Sequence, residues 1–89
     1  ISVLTYLLPD SAAPFRNRDS NGDDSRILSG GLHITQAGRG VHHDEFPLAA
    51  GAAAHGFQIW IDHAAEHRLV DPLAMHADPH EIPERQHAG

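Results

Sequence analysis

The chain has 89 residues, with twelve acidic side chains against six basic ones, no lysine and no cysteine. Disulfide staples and thiolate metal sites are thereby excluded, and six scattered arginines exclude the clustered basic surface that nucleic acid requires. One small domain is all that such a length supports. It buries only roughly 60–65% of its unfolded surface, so a metal, a partner subunit or further chain is the usual supplement to its thin core.

The chain opens at Ile1 in an apolar run, as a fragment would. "SVLTYLL" is rich in β-branched, aromatic and aliphatic residues and ends at Pro9, the pattern of a buried strand. "PDSAAP" supplies a loop or irregular edge. "FRNRDS" alternates and runs into Asn21-Gly22, a strong hairpin signal. "SRIL", broken by Gly30-Gly31, precedes "LHITQ". A second glycine turn, "AGRG", leads into "VHHDEF", which Pro47 should stop. Gly38 and Gly40 read as turn glycines, and Arg39 between them either fixes a carboxylate or faces solvent.

"LAAGAAAHG" has the alanines of a helix, but Gly51 and Gly56 favour a loop. "FQIWID" is the clearest strand, with Phe57, Ile59 and Ile61 on one face and Gln58, Trp60 and Asp62 on the other. Trp60 fits a core or interface position, or the lining of a cavity. The remainder has three prolines and mixed periodicity. It reads as short extended pieces, a single helical turn in "DHAAEHRL", and a loose tail from about residue 79 to 89. Five to seven short strands separated by glycine and asparagine turns indicate a small antiparallel β-sandwich or barrel.

The apolar runs are too short to span a bilayer, and neither resembles a signal peptide. A cytoplasmic setting, with no membrane and no direct nucleic acid as partner, is the default reading. Nine histidines are an unusual load, and metal binding requires a few of them to converge. On extended backbone, "VHHDEF" places His43 and Glu45 on one face, roughly 6.5–7 Å apart, with His42 and Asp44 facing outward or across. An imidazole nitrogen and a carboxylate so placed suit Fe(II), Mn or Zn. A solvated edge strand whose charges discourage aggregation accounts for the same residues.

"ISVLTYLL", "RDSNG", "SGGLHITQAGRGVHHDEF", "HGFQIWID" and "VDPLAMHADPHEIP", in this order, resemble the N-terminal cupin domain of the pirin family. The family pattern of A-G-R-G, an apolar residue and then H-[SA]-E is matched by "AGRGVHHDE". H-G-[LF]-Q-[LI]-W is matched by "HGFQIW", and E-I-P by Glu81-Ile82-Pro83. The resemblance covers nearly the whole chain and implies an all-β fold, a cupin-type small β-barrel or jelly-roll sandwich, here incomplete.

It further implies one iron, Fe(II) or another divalent transition metal, held by four side chains. His43 matches the third ligand and Glu45 the fourth, with Glu45 also the candidate catalytic base. The first two, an H-x-H pair, fall before the first strand and have no counterpart here. If an upstream segment completes the set, the protein binds iron; if none does, the site is broken. Ser2 stands where many members carry glutamate, His42 replaces an apolar or variable residue, and "PDSAAP" is a few residues longer than usual.

His33 lies where it could approach the cavity. His55 is implied to anchor its strand, and His63, His67, His76, His80 and His87 to lie on the surface. Three functions remain open: an iron-dependent dioxygenase of quercetin type taking a small aromatic ligand, a non-catalytic metal-binding module, and a metal-free module that forms homodimers through open sheet edges.

Overall fold

The computed structural model describes residues 1–87, so the last two residues of the expected tail lie outside it. Seven strands form in chain order: β1 (Ser2–Leu7), β2 (Phe15–Asp19), β3 (Asp24–Ile27), β4 (Leu32–Gln36), β5 (His43–Pro47), β6 (Gly56–Ile61) and β7 (Leu73–Ala77). Two single 3-10 turns, Ala65–His67 and Pro79–Glu81, complete the regular structure. The first falls within the segment expected to make one helical turn. The second is held by a capping box, in which the Asp78 N–H donates to the Glu81 carboxylate at 3.0 Å.

All the pairings are antiparallel and give two sheets, one in the order β6-β1-β4-β7 and the other β3-β2-β5. This is the expected all-β sandwich. The β2–β3 hairpin closes at Asn21-Gly22, where Gly22 takes φ 99° and the Asp19 carboxylate accepts the Asn21 and Asp23 N–H groups, each at 2.9 Å. Pro47 is the last residue of β5, as expected, and lies opposite Phe15. A proline is tolerated there because β5 is an edge strand. β7 is a full strand, although its mixed periodicity in the sequence gave no clear signal.

Which faces look inward is settled by a single cross-sheet contact. Thr5 on β1 touches Glu45 on β5, so both point between the sheets. Strand alternation then carries Val3 and Leu7 inward on β1, and the register brings His33, His76 and Gln58 inward beside them on β4, β7 and β6. In the second sheet Phe15, Asn17, Ser25 and His43 face the same gap.

The interior is therefore split. One end is apolar, with Leu7, Ala13 and Ile27 buried. The other end is polar, and Thr5, Asn17, His33 and Thr35 are buried there. The outer face of the second sheet is salt-bridged. Arg16 reaches Asp24 diagonally and Arg18 reaches Asp44 directly across, each with two guanidinium nitrogens on one carboxylate. These bonds pull both aspartates below the usual carboxylate range and raise both arginines.

The turn between β4 and β5 has a tight backbone requirement. Gly38 takes φ 54°, and a Cβ there would strike the Val70 carbonyl oxygen. Gly22 also has positive φ, but open space surrounds it. Gly38→Ala is expected to cost at least about 3 kcal/mol, by strain and clash together, against about 1–2 kcal/mol for Gly22→Ala by strain alone. Urea denaturation of the two variants measures the difference. Equal losses would mean that the Val70 backbone simply moves aside.

Candidate metal centre

β5 is extended, so His43 and Glu45 share its inward face, as expected, while Asp44 turns out to Arg18. The Glu45 carboxylate accepts the Thr5 hydroxyl, at 3.0 Å to Oε1 and 2.8 Å to Oε2. One proton cannot serve both oxygens fully, so much of the carboxylate's accepting capacity stays open.

His43 is oriented from the neighbouring strand. Its Nδ1 lies 3.3 Å from Asn17 Oδ1, and Asn17 Nδ2 donates to the Asp23 carboxylate at 2.8 Å. A carboxylate can only accept, so that second bond fixes which way round the amide sits. The amide oxygen therefore faces His43, and Nδ1 must carry the imidazole proton. Nε2 is left as a lone pair, the state in which a histidine ligates a metal. Ser25 also donates to Asp23, at 2.8 Å, and keeps that carboxylate in place.

Behind this pair lies His33, fully buried at 0% exposure. Its Nδ1 is 3.4 Å from Nδ1 of His76 and 3.5 Å from the Ser25 hydroxyl. Its Nε2 has no hydrogen-bond partner and stands 3.8 Å from the Asp23 carboxylate. Burial pushes the His33 imidazole below its ordinary value, against the pull of Asp23 and Glu45. His76 is exposed, as the sequence leads one to expect, although its ring reaches His33. β7 turns it inward, and Asp78 holds its other nitrogen at 2.9 Å.

The remaining assignments divide. His55 does anchor its strand: its carbonyl accepts the Leu8 N–H at 2.9 Å, and its ring meets Asp10 at 2.8 Å. His63 bonds Ser2 at 2.7 Å, and Arg39 pairs with Asp71 at 3.0 Å. Trp60 is 65% exposed, so it is not a core residue. Its indole N–H donates to Gln58 at the open rim of the sandwich. His42, His67, His80 and His87 are exposed.

The sequence reading missed Thr5, Asn17, Asp23 and Ser25. Asn17 had a signal, since it alternates with Arg16 and Arg18, whose charges must face water. Beside Glu45 a cleft of about 340 Å³ opens between the sheets, lined by Thr5, Leu7, Phe15, Gly56, Phe57 and Gln58 among others. Among the described residues, no group of three or more His, Cys, Asp or Glu side chains stands close enough to hold a metal ion. His43 and Glu45 fit such an ion as two donors, and they do not by themselves close a site.

The family model for pirin matches residues 1–61. This chain belongs to the pirin family. The pirin chain is 37% identical to "Putative quercetin 2,3-dioxygenase" of Vibrio cholerae, over 98% of its own length and 30% of that protein. It is 30% identical to human pirin, over 91% of its length and 27% of that protein. A crystal structure of a Geobacillus kaustophilus protein superposes with a TM-score of 0.83 at 26% identity, covering 97% of this chain and 33% of the other. The chain thus spans about a third or less of the proteins it matches. It is a pirin-like cupin, and no helix among its described residues is long and apolar enough to cross a membrane.

The buried His33 makes the fold sensitive to acid. The unfolded chain takes up a proton on this imidazole near pH 6.5, whereas the folded chain resists until its lowered value is reached. The stability linked to His33 is therefore full above about pH 6.5 and is lost as the pH falls from there toward the folded value. Thermal unfolding at pH 7.5 and 5.0 should show a lower Tm at pH 5.0, with a smaller gap in His33→Gln. A gap unchanged in that variant would place the sensitivity elsewhere.

Proposed function

We propose that this chain is the metal-binding module of a pirin-type cupin, and that His43 Nε2 and the Glu45 carboxylate are two of the donors to a divalent transition metal. The observation that carries the reading is the Asn17 amide, locked by Asp23, which keeps the metal-ready tautomer of His43 facing inward beside Glu45. One nitrogen and one carboxylate suit iron, manganese or zinc. Two donors hold such an ion weakly, so tight binding calls for two more.

The Ile1 carbonyl accepts the Ala37 N–H at 2.9 Å, so backbone entering β1 does so beside the A-G-R-G turn that leads to β5. A bound metal would supply Lewis-acid and redox chemistry. This chain's own residues would do the rest. Leu7 and Phe15 offer the cleft apolar surface for a flat aromatic ring, and Glu45, with spare accepting capacity, would take a proton from a phenolic hydroxyl.

The name carried by the Vibrio cholerae relative supports a flavonol such as quercetin as the ligand class. The pairing of Arg16 and Arg18 with aspartates leaves little free positive charge for nucleic acid on that sheet. The test loads the protein anaerobically with Fe(II) and measures bound iron, then oxygen uptake with quercetin. His43→Ala and Glu45→Gln are each expected to lower iron retention at least tenfold, with the circular dichroism of the strands unchanged. Iron content unaltered in His43→Ala would remove the assignment. Bound iron without oxygen uptake would leave a binding module in place of an enzyme.

A further inference from the structure

On β6 the side facing the gap carries a polar residue where burial alone would place an apolar one. Gln58 points into the gap, while its neighbours Phe57 and Ile59 point away from it. Gln58 lines the cleft together with Thr5 and Glu45. In the register it stands directly opposite Thr5, whose hydroxyl is bonded to the Glu45 carboxylate. Neighbouring strands lie about 4.8 Å apart, so Gln58 is one strand step from the residue that holds Glu45.

The Gln58 amide is oriented from one side. The indole N–H of Trp60, two residues on along the same face, donates to Gln58 Oε1 at 3.1 Å. An indole nitrogen can only donate, so it selects the amide oxygen and leaves the NH2 group free. Among the described residues, no protein group accepts from that nitrogen. The cleft therefore offers two unlike groups: an acceptor with open capacity on Glu45 and an uncommitted donor on Gln58. Leu7 and Phe15 supply apolar surface beside them.

We propose that Gln58 is a specificity-determining residue of this cleft, donating from Nε2 to a carbonyl oxygen of an aromatic ligand whose neighbouring hydroxyl faces Glu45. The proposal rests on the reading of Glu45 and the cleft given above. It narrows the ligand class to flat rings that carry a hydroxyl and a carbonyl on adjacent carbons. In the free ligand these two oxygens share an internal hydrogen bond that closes a five-membered ring. That bond is strongly bent, and bent hydrogen bonds are weak. In the cleft Glu45 takes the hydroxyl and Gln58 serves the carbonyl, so two straighter bonds replace one poor one. A ring with a hydroxyl alone gives Gln58 nothing to donate to, and a ring with a carbonyl alone covers the Glu45 carboxylate without a donor. A carboxylate in place of the carbonyl is disfavoured, because Glu45 lies alongside and like charges repel.

Titrating the metal-free chain with unsubstituted flavonol, which has both groups, and with β-naphthol, which has the hydroxyl alone, separates the two contacts. Gln58→Leu is expected to weaken flavonol binding about three- to tenfold, the worth of one hydrogen bond, and β-naphthol binding by less than about twofold. Trp60→Phe keeps a ring but removes the indole N–H, and its loss should fall in between. Flavonol also supplies a signature, since its long-wavelength emission requires the internal hydrogen bond. Binding should shift emission to the short-wavelength band, and Gln58→Leu should diminish that shift. Gln58→Leu should retain iron as the wild-type chain does, which keeps this test apart from that of the metal donors. Equal weakening of both probes, or of neither, overturns the role of Gln58 and leaves the reading of Glu45 standing. If neither probe binds the wild-type chain, the aromatic cleft and this proposal fall together, while iron retention still reports on His43 and Glu45.

Discussion

A hydroxyl and a carboxylate set the orientation of everything else in this molecule. Thr5 on the first sheet donates to Glu45 on the second, and a hydrogen bond to a charged acceptor is worth about 1.5–3 kcal/mol where water is scarce. Because side chains alternate strictly along a strand, holding these two residues inward decides the direction of their neighbours. His43 and Asn17 follow Glu45 inward, while His33, His76 and Gln58 follow Thr5. The same alternation forces Leu4, Ile34, Ile59 and Met75 outward. A polar gap and an oily exterior are two results of one constraint.

Polar gaps have an energetic cost. A buried imidazole with an unpartnered nitrogen, and the unpartnered Thr35 hydroxyl close by, are each unfavourable by about 1–3 kcal/mol. Among the described residues, Leu7, Ala13 and Ile27 are the buried apolar side chains. So small a core seldom sustains a chain of this size. A cation between His43 and Glu45 would stabilise the sandwich from inside.

Much of this was legible in the sequence, and the failures have a common cause. Strand positions followed from period-two patterning and from turn residues such as Asn21-Gly22, and the inward pairing of His43 with Glu45 followed from their spacing. What one strand cannot reveal is which of its faces is inside, because the usual guide is that apolar residues point in. In β6 that guide fails: Phe57, Ile59 and Ile61 face solvent, while Gln58 and Trp60 lie on the side of the gap. The contact of His76 with His33 was hidden for a related reason, since "LAMHA" alternates too weakly to declare itself a strand. The Asn17–Asp23–Ser25 support was missed because it depends on a hairpin folding back, and a local pattern does not show which side chains then meet.

Gly56 leaves the cleft with unequal walls. A side chain there would collide with the Tyr6 carbonyl, so the strand can lie close against β1 only because this residue has none. Among the described residues, β6 pairs with β1 alone. Thr5, on a strand with a neighbour on each side and bonded to Glu45 of the other sheet, is thus held from three directions, and β6 is held from one. A guest of varying girth would meet a fixed chemical end and a compliant lip, which allows tolerance in bulk together with strictness in the atoms that approach the carboxylate.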